Sequence, residues 1–314
     1  MLRSLTEFFS GRMRRARSCV GVALGRRHLW AVQMTENGDT RQLDWITKQP
    51  LNVPLFQGTP GEESTSALAA ALEPIREATR KSFVQIQVAL PDPAIDLKVF
   101  ALEVLPGTRK ERDSLVRFRV QKEGHNAGSD IACVSQPLGE AGGKQLLFGL
   151  AVDAAWLECV QRAFKDAELA LTVTDMGFCY QFNRFHDLLP LTDTGGALVT
   201  LEPESWTLGF WDRNARLRFA RSRWRQRASN DELAVIAADL ERTIRAYVHS
   251  DEGHEIGCIY VSALDSEAEQ MTSLINKRMN GECNRLPIAH GLSQRDTELP
   301  EEFSAPALAA ASCR

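Results

Sequence analysis

The sequence predicts an α/β protein in which one structural unit occurs twice. Residues 20–90 show the order strand, strand, strand, helix, strand, and residues 197–262 show the same order again. Alternating apolar residues predict the strands, and apolar residues three and four positions apart predict the helices. At 314 residues, the chain is long enough for two domains with buried cores. The repeated order therefore indicates an internal duplication.

The first unit opens with the stretch VGVALGRRHLWAVQM, residues 20–34, which is predicted to form two strands joined at residues 25–27. An Asn-Gly turn at residues 37–38 favours a hairpin to the third strand. The remaining elements predicted for this unit are a strand over residues 41–48, a helix from residue 64 that contains Pro74, and a strand over residues 84–90.

The second unit repeats this order. Its predicted elements are strands over residues 197–201, 205–211 and 217–221, a helix over 231–249, a strand over 256–262 and a helix over 265–279. The first of these helices carries a single apolar stripe, which is typical of a helix packed on a sheet.

A segment with its own elements, residues 91–175, separates the two units. Its predicted elements are strands over residues 95–99, 131–138, 145–152 and 169–175, and helices over 110–123 and 154–168. Asp153 precedes the second helix and is the residue type that caps a helix N-terminus.

The two ends of the chain each allow two interpretations. Residues 1–17 place leucine and phenylalanine near one helical face and follow them with four arginines. They fit either an amphipathic foot on an anionic bilayer or a soluble leader. Residues 304–314, SAPALAAASCR, fit either a docked, alanine-rich closing helix, which we favour, or a disordered tail.

Composition excludes several classes of protein. The net charge of −4 does not favour nucleic acid as a partner. Seven scattered cysteines without CxxC spacing indicate reduced thiols, and six histidines without HxH or HxxxH spacing do not predict a metal site. The sequence contains no GxSxG motif, the signature of the nucleophile turn in α/β-hydrolases, so a hydrolase has no support from this motif. We expect no transmembrane helix, since no run of about 18 apolar residues occurs, and no secretory signal.

One basic stretch has three interpretations. Residues 213–227, RNARLRFARSRWRQR, hold seven arginines. Arginines interleaved with aromatic residues can bind nucleic acid, an acidic protein or a lipid headgroup. The alternation of Leu217 and Phe219 with Arg216 and Arg218 instead predicts a half-buried strand with a solvated face, and we favour that interpretation.

Three segments resemble the PilM branch of the actin-like ATPases. Residues 20–34 resemble its first phosphate loop, commonly GIDIGSSSVKAVQL. The coinciding residues are Gly21, Gly25, Ala31, Val32 and Gln33. The segment ALPDPAIDLKVFALEVLP resembles ALPDSAVITKVIEMP, and the tail resembles the closing helix APALATALGLALR. The chain is therefore similar over residues 18–314 to PilM- and MshI-type proteins, which are related to FtsA and to the cytoplasmic domain of GspL.

The resemblance implies an actin-like ATPase fold of two ribonuclease-H-like halves with an inserted small α/β subdomain. The boundaries expected on this basis are a basic leader at 1–17, a first half at 18–90, the subdomain at 91–152, a return to the first half at 153–192, a second half at 193–292 and a tail with the closing helix at 293–314.

The positions that carry nucleotide chemistry depart from the family pattern. In the first loop, Ala23 replaces the magnesium-side aspartate, Arg26 a serine and Trp30 a lysine. In the second loop, VDIGASTTTL in the family, Thr200 replaces the aspartate and Glu202 a glycine. These changes remove a metal ligand and add a negative charge where phosphate would approach.

The adenosine loop departs as well, because residues 261–264 lack the family's glycine pair. We therefore predict a pseudo-ATPase without catalytic residues, metal or cofactor. Neither ATP nor Mg²⁺ is expected to bind tightly, and Gly25 and Arg26 are the remnant of the phosphate loop.

The resemblance also implies a role for the protein. The implied role is that of a cytoplasmic scaffold, peripheral to the bacterial inner membrane, in a type IV pilus or type II secretion platform. Such a scaffold captures the short N-terminal tail of a PilN-type membrane protein, and the resemblance allows a second copy of the chain or an assembly ATPase as further partners. We assign the tail contact to the inserted subdomain, at Ile95, Leu97, Val99, Leu115 and Phe118. Two alternatives stay open: a nucleotide-binding switch of the same fold, and a sugar-kinase-like enzyme.

Overall fold

The computed structural model describes residues 17–37, 40–80, 84–122, 130–189, 194–226, 230–250, 255–279, 282–288 and 304–312. The strands are β1 (Arg17–Leu24), β2 (His28–Asn37), β3 (Thr40–Pro50), β4 (Gln85–Leu90), β5 (Ile95–Leu102), β6 (Ile131–Ala141), β7 (Lys144–Asp153), β8 (Leu171–Met176), β9 (Gly195–Leu201), β10 (Ser205–Trp211), β11 (Leu217–Trp224), β12 (Ile256–Ser262) and β13 (Cys283–Arg285). The helices are α1 (Glu62–Thr79), α2 (Arg109–Lys122), α3 (Ala154–Asp166), α4 (Gly177–Phe185), α5 (Asn230–Val248), α6 (Asp265–Met279) and α7 (Ala305–Ser312).

Two five-stranded sheets confirm the predicted duplication. Their strand orders are β3-β2-β1-β4-β8 and β11-β10-β9-β12-β13. In each sheet the first three strands are antiparallel and the last two are parallel to the central strand. The central strand β9 is buried along its whole length, as expected for a strand covered on both faces.

The segment between the halves forms a three-stranded antiparallel sheet of order β5-β7-β6. Helix α2 covers one face of this sheet, where Val116 and Val120 pack with Leu147 and Ala151. The opposite face carries the residues of β5 that alternate from Ile95 to Val99, paired across the sheet with Val152, Leu150 and Phe148 of β7. This second face turns toward the two halves, and we call it the inner face of the insert.

The C-terminal segment is a docked helix, as favoured from the sequence. Seven consecutive residues of α7, from Ala305 to Ala311, are buried. The helix lies against β1, β2, β4 and α4. A Cβ atom at Gly21 of β1 would lie 1.9 Å from the backbone oxygen of Ala307, so only glycine permits this approach.

Helix α4 and strand β13 were not predicted. α4 has nine residues rich in aromatic side chains, and most of them are buried on more than one side of the helix. Its nine residues make about two and a half turns, which is shorter than the window of about 11–18 residues in which periodicity identifies a helix. The leader predicted for residues 1–17 lies outside the described residues except for Arg17, which already belongs to β1.

Candidate functional site

Two turns from different halves meet at the position of the nucleotide cleft. The turn after β1, residues 25–27, faces the turn between β9 and β10, residues 202–204. In the first turn, the backbone N–H groups of Arg26 and Arg27 point toward the second turn, whereas the Gly25 N–H bonds within its own turn. Such amides form a concavity suited to an anion.

The carboxylate of Glu204 occupies this concavity. Its Oε2 accepts hydrogen bonds from the backbone N–H groups of Arg26 and Arg27, the latter at 3.0 Å. Its Oε1 lies 2.8 Å from Nδ1 of His28. A Cβ atom at Gly25 would lie 2.6 Å from Oε2. The chain thus places its own anion on the amides of the first loop.

Two spaces adjoin this contact: an open groove of about 610 Å³ lined by Arg26, Arg27, Glu204 and Trp224, and a small cavity between the loops. A cavity of about 30 Å³ lies between Ala23, Trp30, Asp92 and Glu202. It has room for a single water molecule, whereas pockets for small organic ligands typically measure about 300–1,000 Å³. Arg26 does not point into this cavity, because its guanidinium lies over the ring of Trp224, 4.4 Å from the ring centre.

A buried ion cluster supports the second loop from behind. The side chain of Arg225 is only 1 % exposed and lies 2.7 Å from Glu267 Oε1 and 3.1 Å from Glu232 Oε2. Arg225 also donates to the backbone oxygen of Glu202 at 3.0 Å. The loop is therefore held in place by side chains of the second half.

Buried hydrogen bonds join the halves beneath the two turns. Thr207 of β10 donates to Asp92 Oδ2 at 2.5 Å, and the backbone N–H of Phe178 donates to Oδ1 at 2.8 Å. Burial raises the pKa of Asp92 to about 6.

A second set of hydrogen bonds runs through α4. Gln181 donates to Glu202 Oε1 at 3.1 Å and accepts from Ser262 at 3.2 Å. Burial raises the pKa of Glu202 well above its ordinary value, and the charge of Asp92 adds to the rise. Burial therefore favours the neutral form of this glutamate.

The structure separates the five residues assigned to the tail contact. Ile95, Leu97 and Val99 lie on the inner face of the insert, whereas Leu115 packs with the cluster under α2 on the opposite face. Phe118 is 61 % exposed on α2. The insert sheet lies between the two groups, so they do not form one groove. Leu97 is 7 % exposed and belongs to the main core. A charged residue at this position would destabilise the fold, so its effect on tail binding could not be separated from unfolding.

A large groove does lie beside the inner face of the insert. Its volume is about 990 Å³, and its walls come from β6 and β7 of the insert and from α3 and β8 of the first half. Apolar side chains on the walls include Val134, Phe148, Leu157, Phe164 and Leu171. Of the five predicted residues, Ile95 contributes to the lining.

Two edge strands border this groove. β6 ends the insert sheet and β8 ends the first five-stranded sheet. An edge strand offers unpaired backbone groups to which an extended peptide can add. The sequence did not indicate this groove, because its two walls are brought together only by the packing of the insert on α3 and β8.

None of the helices in the described part of the chain is long and apolar enough to cross a bilayer. Among the same residues, no group of three or more histidine, cysteine or acidic side chains is arranged to hold a metal ion.

Comparisons with known proteins show the fold. No protein-family model matches the chain, and no curated protein matches it by sequence. The PilM–PilN type IV pilus biogenesis complex contains a chain that superposes with a TM-score of 0.75 at 15 % identity, over 93 % of this chain and 97 % of that one. A protein with an actin-like ATPase fold and unknown function from Bacteroides thetaiotaomicron superposes with a TM-score of 0.57 at 10 % identity, over 95 % and 96 %. The protein has the actin-like ATPase fold, as predicted.

Proposed function

We propose that this protein is a non-catalytic cytoplasmic scaffold of a type IV pilus or type II secretion platform, which docks the N-terminal tail of a PilN-type membrane protein. The observation that carries the proposal is the superposition on a chain of the PilM–PilN complex over nearly the full length of both chains. The sequence resemblance of residues 18–314 to the PilM branch supports it independently.

The proposed docking site is the groove between the insert and the first half. Its apolar walls suit a short apolar tail, and its edge strands β6 and β8 can pair with an extended backbone. The proposed groove places the tail contact on β6 and β7 instead of α2. The inserted subdomain remains the partner-binding element.

A matched pair of variants tests the groove. Val134 lines it and is 46 % exposed, whereas Val173 of β8 is 43 % exposed and lies outside the lining. We expect Val134→Glu to weaken binding of a synthetic PilN-type tail peptide at least tenfold, because a charge would be buried against apolar walls. Val173→Glu should bind as wild type does. Both variants should keep the wild-type melting temperature, measured by circular dichroism.

Two results would count against the proposal in different ways. Equal binding by both variants would place the tail elsewhere on the protein. Absence of binding by the wild type, to the peptide and to the full PilN-type protein of the same organism, would remove the docking role itself.

We also propose that the protein is a pseudo-ATPase. The position of Glu204 on the first-loop amides and the cavity of about 30 Å³ support this. The absence of a carboxylate at Ala23 adds to it, because Mg²⁺ is bound through carboxylates and water. The same features disfavour both the nucleotide-binding switch and the sugar-kinase-like enzyme. A contact of residues 1–17 with the inner membrane stays a prediction.

A further inference from the structure

We propose that a second groove, between the insert and the second half, binds a phosphate group. It lies between β5, β11 and α5 and has a volume of about 680 Å³. Four cationic side chains line it: Lys98 from β5, Arg218 and Arg221 from β11, and Arg242 from α5. Among the described residues that line the groove, Asp239 carries the carboxylate that faces these cations. This site is separate from the tail groove and from the nucleotide cleft.

Arg218 has a buried donor that needs an acceptor. Its side chain is only 7 % exposed, and its Nη1 makes no hydrogen bond to any described residue. The nearest carboxylate oxygen is Asp212 Oδ2 at 3.5 Å, and Arg216 already engages that oxygen from 3.1 Å. A buried N–H group without an acceptor is costly, so native proteins supply a partner, a water molecule or an ion.

Among the described residues of its lining, the guanidinium groups of the groove outnumber the carboxylates. Asp239 is shared by three arginines, with nitrogen–oxygen distances of 3.6 Å to Arg221, 3.6 Å to Arg223 and 3.3 Å to Arg242. One carboxylate cannot neutralise three guanidinium groups. The excess is local, since the whole chain has a net charge of −4.

Phosphate fits this site better than a single carboxylate does. Guanidinium groups present forked donors that match phosphate oxygens. A phosphate monoester carries a charge of about −1.5 to −2 at pH 7, which would balance the positive charge of the arginines in the groove. An anion held by Arg218, Arg221 and Arg242 would contact β11 and α5 at once.

The test uses the full chain, inorganic pyrophosphate as probe, and a matched pair of arginines on α5. Arg242 lines the groove and is 76 % exposed. Arg245 is 71 % exposed on the same helix, pairs with Glu241 and lies outside the groove. Neither side chain is part of the core, so Arg242→Ala and Arg245→Ala should both fold, which circular dichroism verifies.

We expect calorimetry to show saturable pyrophosphate binding below millimolar concentration for the wild type, weakened about tenfold by Arg242→Ala and less than twofold by Arg245→Ala. Absence of saturable binding by the wild type would overturn the proposal. An equal effect of the two variants would also overturn it, because the anion would then respond to general charge or to another site.

Vesicles of phosphatidylglycerol distinguish the source of the phosphate. If the wild type cosediments with them and Arg242→Ala alone reduces the pelleted fraction, the groove takes a lipid headgroup. If pyrophosphate binds as expected while pelleting is unchanged by Arg242→Ala, the groove takes a soluble phosphate ester. Both results support the phosphate site, and neither depends on the PilN-type tail.

Discussion

Glu204 joins parts of the chain that lie 178 residues apart. A carboxylate that accepts two backbone hydrogen bonds acts on those amides as a bound phosphate oxygen would. The contact holds the two halves together at the cleft without a ligand. From the sequence we expected Glu202 to repel an anion, but Glu202 bonds to Gln181, and the carboxylate that lies on the amides is that of Glu204.

We expect Glu204→Ala to lower the free energy of unfolding by about 3 kcal/mol, because two charge-assisted hydrogen bonds are lost and their N–H groups stay partly buried. Urea unfolding at pH 7 measures this. Glu103→Ala is the control: Glu103 is 81 % exposed and lies 3.9 Å from Lys144, so its loss should cost less than about 0.5 kcal/mol. A cost below about 1 kcal/mol for Glu204→Ala would mean that water replaces the carboxylate.

Asp92 gives stability a specific pH dependence. Its pKa rises from 3.8 to about 6 on folding because it is buried. The folded state therefore holds the proton more tightly than the unfolded chain. The contribution of Asp92 to stability is complete below pH 3.8, falls as the pH rises, and is lost above about pH 6.

Asp92→Asn should remove this pH dependence. The amide can still accept from Phe178 N–H, and it can donate to Thr207. We expect the variant to be more stable than wild type at pH 7.5, by up to about 3 kcal/mol, and the difference to shrink toward pH 4.5. Urea unfolding of both proteins at the two pH values measures it. An equal difference at both values would show that Asp92 does not titrate in this range.

At the scale of elements, the closing helix α7 depends on close backbone packing against β1. Gly21→Ala would force a Cβ atom against the backbone of α7 at Ala307 and Ala311, which cannot move aside as a side chain can. We expect it to lower the free energy of unfolding by about 3 kcal/mol and to release α7 to proteolysis. Gly107→Ala, where a Cβ atom meets nothing within 4 Å, is the control. Equal stability of the two variants would contradict the docking of α7.

Helix α4 illustrates what periodicity misses. It packs against the closing helix and carries Gln181, whose amide bonds to Glu202 and Ser262. Its nine residues are fewer than the window of about 11–18 residues over which periodicity separates a helix from other apolar segments. The element that supports the base of the cleft therefore left no clear signal in the sequence.

At the scale of the whole molecule, the actin-like fold is kept, and the resemblance aligns other residue types with the positions that carry nucleotide chemistry in the family. The strand order of the first sheet depends on apolar patterning, which the changes at Ala23 and Trp30 respect. Ala23 and Trp30 pair across the hairpin and pack in the core under α7. Residues that would bind magnesium or phosphate in the family serve here to fill the interior.

We therefore expect no saturable heat when ATP and Mg²⁺ are titrated into the protein up to millimolar concentration. A nucleotide would have to displace Glu204 and open a cavity of about 30 Å³. The control is ATP without Mg²⁺, which separates binding at the cleft from weak anion binding. A micromolar dissociation constant, equivalent to about −8 kcal/mol, would contradict the pseudo-ATPase proposal.

The sequence by itself determined most of the elements, though not α4 or β13, and their duplication. Alternation in strands such as β1 and the apolar stripe of α5 are local, so they can be read along the chain. The missing carboxylate at Ala23 was also visible there. What only the tertiary structure decided are contacts between distant residues: Glu204 on the amides of Arg26 and Arg27, and the two grooves beside the insert. The physical reason is that each of these sites is built from surfaces whose separation is set by packing, which no local pattern records.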